Sequence, residues 1–249
     1  MIKSKIKIRT KYVPAGITIL YEDRDIIVQI EVWDRFDYSR QNWETSPWNP
    51  GNNVNYTYEQ TGFAAEYPEH PSRDQQPFFH SIEGMEKYSK KLDLIRGYQE
   101  AFAAKMLSYS LGYGHVLYCM NNETSTPAQW GQYWIQFIQA RAAEKGVTVC
   151  TTDMFDDAFR AEESVNTPLI FGDPEHYMFA DISQVNSRNY GQDHWDSLMW
   201  LLEKVNTHPR PSNHTKIYGS GYLSFGTGGP EDGVERFWRN IIGGSASSR

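Results

Sequence analysis

Short apolar runs alternate with amphipathic helical patterns along most of this 249-residue chain, and this alternation limits the fold more than any other feature. The runs are rich in β-branched and aromatic residues, which is typical of strands buried on both faces of a sheet. Five predicted strands lie at residues 26–32, 115–121, 147–152, 177–183 and 214–218. Helical spacing predicts helices at residues 88–112, 126–146, 192–206 and 230–242. Strands that alternate with helices form parallel sheets, so the sequence predicts an α/β fold.

Two segments depart from this alternation. Residues 1–25 are predicted to form a β-hairpin that turns at Pro14-Ala15-Gly16. Residues 33–86 form a long polar connection after the first parallel strand, and we interpret it as a substrate-facing loop, because barrel enzymes build their sites from such loops. The predicted fold is therefore a single domain, residues 1–249, shaped like a TIM (β/α) barrel but incomplete or irregular. Either the hairpin completes an irregular sheet or a second subunit covers an exposed edge, and the second possibility predicts a homo-oligomer.

Composition and charge limit the classes of partner that this chain is expected to bind. The net charge of -7 argues against binding to a nucleic-acid backbone. No apolar run is long enough to span a membrane, and the start of the chain lacks the apolar core of a signal peptide, so we expect a soluble protein; a secreted or periplasmic location stays open for a longer gene product. Cys119 and Cys150 are expected as buried thiols on neighbouring strands. The histidines lack metal-binding spacing, so neither a metal nor a cofactor is predicted.

Aromatic residues are abundant for so polar a chain. They make up 14% of the residues, while the mean hydropathy is -0.63. Most of these rings are expected to fill interfaces between helices and strands. The remainder suit a carbohydrate partner, because the C–H face of a sugar ring stacks on Trp or Tyr.

The strongest local signal for chemistry is Asn122-Glu123, directly after a predicted buried strand. A carboxylic acid in a partly apolar cleft can protonate the leaving oxygen of a glycoside, and a neighbouring amide can hydrogen-bond the sugar 2-hydroxyl group. Glu123 is therefore the best candidate for a catalytic acid. The alternative is that Glu123 caps the helix predicted to begin near Thr126.

This Asn-Glu pair resembles the acid/base motif that follows strand 4 in the large clan of glycoside hydrolases with (β/α)8 barrels. The segments IIVQIEVWDRFDYS, VLYCMNNETS, FADISQVN and DGVERFWRNIIGGSASSR are similar to catalytic-domain segments of a bacterial glycosidase family. The resemblance covers residues 26–249. It implies barrel strands three to eight, with earlier strands missing or replaced by the hairpin and with further sequence after Arg249.

The second carboxylate of such enzymes is not where the resemblance would place it, since residues 216–222 contain no acid. Substitutes at other strand ends are Glu31, Asp34, Asp153 and Asp181, and we place Glu31 and Asp153 with Glu123 as candidate catalytic residues. Alternatively, Glu31 or Asp181 pairs with Arg35 or Lys216, and Asp153 caps the segment after it. Amide, aromatic and charged residues near the same strand ends are candidates for substrate binding: Asn122, Trp33, Asp34, Arg35, Asp181, Asn186, Arg188, Trp130 and Tyr218.

The leading functional hypothesis is hydrolysis of a poly- or oligosaccharide with Glu123 as general acid/base. The missing carboxylate and the incomplete strand count favour an alternative, a catalytically inactive, barrel-derived protein that binds carbohydrate or serves in assembly. A polysaccharide lyase is a third possibility, and it would need a Tyr or His base.

Overall fold

In the computed structural model the described residues are 5–9 (as backbone), 26–158, 161–184, 191–217 and 229–248. Strands within these ranges are β1 Lys5–Arg9, β2 Ile27–Asp34, β3 Val116–Asn122, β4 Cys150–Thr152, β5 Ala180–Asp181, β6 Ser212–His214 and β7 Ser247–Ser248. The α-helices are α1 Gln41–Glu44, α2 Tyr58–Thr61, α3 Leu92–Ser110, α4 Ala128–Glu144, α5 Thr167–Gly172, α6 Gly191–Val205 and α7 Pro230–Gly243. Short 3-10 helices occupy Arg35–Tyr38, Pro50–Asn52, Pro71–Arg73, Pro77–His80 and Ala161–Glu163.

All strand pairs in the described ranges are parallel, but they form two sheets and not one barrel. The first sheet has the order β1-β2-β3-β4 and the second the order β5-β6-β7. A closed barrel needs every strand paired on both sides. Here β4 and β5 are only three and two residues long. A backbone hydrogen bond from Met178, just before β5, to Thr151 of β4 (2.8 Å) links the two segments, but β4 and β5 are not paired as neighbouring strands. The predicted TIM-like barrel is therefore wrong, while the α/β class and the parallel strands are confirmed.

Polar side chains connect the two sheets. The side-chain carbonyl of Gln29 on β2 accepts a hydrogen bond from Asn213 on β6 (2.7 Å). Asn213 also donates to Asp181 on β5 (3.0 Å). These three side chains are nearly inaccessible to solvent. Because a buried amide or carboxylate is costly without a partner, this mutual satisfaction fixes how β2 faces the second sheet.

The segment predicted as the first strand of a hairpin does contain a strand, β1, but β1 pairs in parallel with β2, which is not the predicted hairpin strand. Residues 5–9 pair in parallel with β2, from Lys5 opposite Ile27 to Arg9 opposite Glu31. The proposed turn and the second strand of the hairpin lie outside the described residues. Among the strands that the structure describes, β1 therefore lies at the edge of the first sheet, next to β2.

The connection at residues 33–86 is a succession of short helical turns whose rings face inward. Trp43, Phe63, Phe78 and Phe79 are each at most 4% exposed. Turn-forming prolines and polar side chains interrupt the apolar pattern, so no long periodicity signals this burial. The segment adds core as well as surface, and its aromatic content is mostly structural.

The long helices α3, α4, α6 and α7 occur close to their predicted positions. In α7, however, a polar face is buried and the apolar face is exposed or half-buried. The sequence places its apolar residues in helical register, which predicts one buried apolar face: Val234, Phe237, Trp238, Ile241 and Ile242. Instead Val234, Trp238 and Ile242 are 60%, 49% and 74% exposed, and Asp232, Arg236 and Asn240 are buried. The periodicity identifies a two-faced helix but not the face that packs inward. The polar face does so with partners for its buried groups: Asp232 pairs with Arg236 (2.7 Å), and Asn240 donates to Ser248 of β7 (2.9 Å).

Two smaller expectations also have outcomes. Cys119 on β3 and Cys150 on β4 are free thiols on neighbouring strands, as predicted, and Cys119 is buried. Cys150 is only partly buried, which differs from the prediction. No helix among the described residues is long and apolar enough to cross a membrane.

Candidate active site

Polar side chains from both sheets meet beyond the carboxyl ends of β2, β3 and β6. Asn122 at the end of β3 donates to Asp34 at the end of β2 (3.0 Å). Lys216, two residues after β6, donates to the side-chain oxygen of Asn122 (3.0 Å) and makes an ion pair with Glu123. We call these four residues the Glu123 cluster. The carboxyl ends of parallel strands are the usual location of binding sites in open α/β sheets.

The side chains of β3 do not alternate regularly between the two faces of the sheet, and this irregularity turns Asn122 into the cluster. Tyr118 donates to Ser110 of α3 (2.7 Å), and Asn121, three residues later, accepts a hydrogen bond from Trp130 of α4 (3.2 Å). In a regular strand, residues three apart point to opposite faces. Here both face the helices, so the alternation breaks between them, and Asn122 turns away from the helices toward Lys216.

Glu123 itself has an unusual backbone conformation. Its φ of 52° lies in the left-handed region, which a residue with a Cβ adopts at a cost of about 1 kcal/mol or more. Backbone hydrogen bonds hold the chain just after it: Thr124 donates to Met154 (2.9 Å), and Asp156 donates to Thr124 (2.7 Å). The neighbouring loop therefore stabilises the turn that points the Glu123 side chain, 17% exposed, into the cluster.

Arg35 borders the cluster but is occupied by a different acid. Its guanidinium pairs with Asp156 (2.7 Å) and donates to Ser125, and the residue is 2% exposed. Burial lowers the pKa of Arg35, whereas the charges of Asp156, Glu123 and Asp34 act in the opposite direction. The ion pairs shown for Arg35 and Lys216 are thus with Asp156 and Glu123. Asp156 and Ser125 had no sequence signal that linked them to Arg35.

Asp153 lies on the other side of the first sheet. Its carboxylate accepts hydrogen bonds from the Asn121 backbone (3.0 Å) and side chain (2.9 Å) and from the Met154 backbone (2.9 Å). Burial raises the pKa of Asp153 to about 7, against these hydrogen bonds. It also lies directly against Gly131 of α4. The structure therefore places this candidate catalytic acid between β3 and α4, away from the Glu123 cluster.

Glu31 and Asp181 are buried on strands, at 1% and 3% exposure. Asp181 accepts hydrogen bonds from Asn213 and from the backbone of Ser183 (3.1 Å), at the contact between the two sheets. Its described contacts are thus structural, and Lys216 is engaged elsewhere. Glu31 on β2 lies opposite Cys119 on β3, and Cys119 precedes Glu123 by four residues in the sequence.

The candidate aromatic residues Trp33 and Trp130 are covered by other rings. They are 1% and 0% exposed, and the ring centroid of Trp33 lies 5.9 Å from Trp130, 5.0 Å from Trp134 and 5.6 Å from Phe78. Their faces are not open to a sugar in this structure. Three further candidates, Asn186, Arg188 and Tyr218, lie outside the described residues.

The residues that the structure gathers are thus Asp34, Asn122 and Glu123, with Arg35 beside them. Lys216, considered from the sequence only as a partner for Glu31 or Asp181, is an addition to this set. Comparisons with protein-family models, with curated proteins and with solved structures gave no match. Any inference about function therefore depends on the chemistry of this cluster.

Proposed function

We propose that this chain is a glycoside hydrolase whose reacting carboxylates belong to the Glu123 cluster. The observation that carries the proposal is that Glu123 and Asp34 occupy the ends of neighbouring strands, and Asn122 and Lys216 link them through hydrogen bonds. Hydrolysis of a glycosidic bond commonly uses two carboxyl groups, one to transfer a proton to the leaving oxygen and one to activate water or attack the sugar. Asp34 takes the position of second carboxyl group that neither Asp153 nor residues 216–222 supply.

Asn122 has a positioning function in this proposal. Its side-chain nitrogen donates to Asp34, and its side-chain oxygen accepts from Lys216. Both ends of the amide are engaged, so it orients the two flanking groups. An amide used in this way keeps the carboxylates in a fixed mutual geometry, which proton transfer to a bound sugar requires.

The test is a screen of neutral and acidic polysaccharides for the release of reducing ends, followed by substitution. Glu123→Gln and Asp34→Asn should each lower the rate by about 10²-fold or more, since each removes a group that transfers a proton or stabilises charge. Glu144→Gln is a matched control, because that carboxylate is exposed on α4 and pairs with Arg141. Normal turnover by Glu123→Gln would refute the proposal. The anomeric form of the first product, followed by NMR, would report retention or inversion.

A second candidate function, carbohydrate binding without hydrolysis, is favoured by the Lys216–Glu123 ion pair. A carboxylate held by an ammonium group is stabilised in its charged form and is a poor proton donor. In that case the chain would bind oligosaccharides in a calorimetric titration but release no reducing ends. Glu123→Gln would then weaken binding without affecting any turnover.

A further inference from the structure

We infer that Lys216 is a positioning residue that holds Glu123 as an ionised carboxylate in the resting protein. The inference about charge comes from the geometry of the cluster, whereas its meaning for catalysis rests on the proposed hydrolase function. It assigns Glu123 the part of the base or nucleophile at the start of the reaction. Glu123 could donate a proton only after its contact with Lys216 is broken.

The inference is drawn from the ion pair between Lys216 and Glu123, which is largely shielded from water. The side chains of Lys216 and Glu123 are 8% and 17% exposed, so their attraction is screened less by water than that of a surface pair. The ammonium group is held by two acceptors on consecutive residues, Asn122 and Glu123. Asn122 is in turn held by Asp34 (3.0 Å). These bonds give the ammonium group a fixed place beside one carboxylate oxygen.

Lys216 reaches this place from the other sheet. It follows β6, whereas Asn122 ends β3 and Glu123 comes directly after it, so the ion pair connects the two sheets at the site. Glu123 also has its left-handed backbone conformation at this point. An attractive contact with the side chain helps to keep a residue in such a conformation, because the contact offsets part of the backbone cost.

Other charged groups act on Glu123 from further elements. The charge of Glu123 acts on Arg35 and His70 in the segment after β2, and Asp34, Asp74 and Asp156 are further acids that act on Arg35. Arg35 is committed to Asp156 and Ser125. Among the described residues, Lys216 is the cation shown in direct contact with Glu123, and its removal should therefore change the charge state of Glu123.

The test measures the ionisation of Glu123 directly, by carbon-13 NMR of the glutamate carboxyl groups, with the Glu123 signal assigned from its loss in Glu123→Gln. In Lys216→Met the titration midpoint of Glu123 should rise by about one pH unit or more, which is a tenfold gain in proton affinity. Lys216→Arg should restore most of the original midpoint. Lys204→Met, which removes an exposed lysine on α6, is the matched control and should leave it unchanged.

An unchanged Glu123 midpoint in folded Lys216→Met would overturn the inference, whether or not the protein cleaves any sugar. Should Lys216→Met fail to fold, an unchanged midpoint in Lys216→Gln would overturn it equally. A shifted midpoint in a protein that hydrolyses no polysaccharide would uphold the role of Lys216 and reject the proposed function. With an active substrate, the acid limb of the pH–rate profile should move to higher pH in Lys216→Met.

Discussion

Two buried histidines between the second sheet and its helices should make the folded state sensitive to acid. His194 on α6 and His214 on β6 are 1% and 2% exposed. Burial, reinforced by the charges of Arg236 and Arg239 and opposed by Asp232, lowers the pKa of His194 to about 3. Burial, reinforced by His194, lowers the pKa of His214 to about 3. Both imidazoles are thus neutral in the folded protein at mildly acidic pH.

The sign follows from proton binding in the two states. An unfolded histidine takes up a proton as the pH falls through about 6.5, whereas these two stay neutral in the folded protein until the pH approaches about 3. Acidification therefore favours the unfolded chain across that window. Each histidine lowers the free energy of unfolding by about 1.4 kcal/mol at a pH of about 5.5, so the pair lowers it by about 3 kcal/mol. Asp153 acts oppositely, because its raised pKa lets the folded protein bind a proton first.

Urea unfolding at a pH of about 7.5 and of about 5.5 would measure this effect. The comparison is between the wild type and the double variant His194→Gln/His214→Gln, since the contribution of Asp153 is common to both and cancels. The variant should lose about 3 kcal/mol less than the wild type on acidification, and each single variant about half of that. Equal losses in wild type and double variant, to within about 0.5 kcal/mol, would refute the reasoning.

Two further predictions concern packing between the first sheet and its helices. Gly131→Ala should lower the free energy of unfolding by about 2 kcal/mol or more, because its methyl group would overlap the Asp153 carboxylate. Gly97 has open space around it, so the control Gly97→Ala should be neutral or stabilising by up to about 1 kcal/mol. Equal unfolding midpoints for the two variants would contradict this prediction. Trp33→Ala should cost about 3–5 kcal/mol in the free energy of unfolding, and Trp238→Ala, 49% exposed, about 0.5 kcal/mol or less. Similar costs for the two tryptophans would show that the Trp33 ring cluster does not stabilise the core.

The positions of most regular elements could be predicted from local pattern. The run at residues 115–121 became β3, Val116–Asn122, and the helical spacing at 230–242 became α7, Pro230–Gly243. These predictions succeed because side-chain periodicity reflects burial along one element, which is a property of neighbouring residues in the sequence. Among the described residues, the strand predicted at 214–218 instead occupies Ser212–His214, where the side chain of Asn213 hydrogen-bonds Gln29, Asp181 and Ser247, all distant in the sequence.

The candidate site was predictable only in part. Asn122 and Glu123 were identifiable because an amide and an acid directly follow a buried strand. Their link to Asp34 and Lys216 was not, because residues 88 and 93 positions apart in the sequence meet there. Asp153 was indistinguishable from Asp34 in the sequence, since both end a predicted strand, and only the interrupted alternation of β3 sends Asn121 and its partner Asp153 toward α4.

By itself, the sequence determined that parallel strands alternate with amphipathic helices and that Glu123 ends a buried strand, because hydrophobic periodicity and turn residues act locally. The tertiary structure decided that the described strands form two sheets, that α7 buries its charged face, and that Lys216 pairs with Glu123. The contact between the sheets and the Lys216–Glu123 ion pair join residues far apart in the sequence, so their free energy is gained only when distant segments have already come together. The ion pair of α7 lies within one helix, and only its burial depends on tertiary packing.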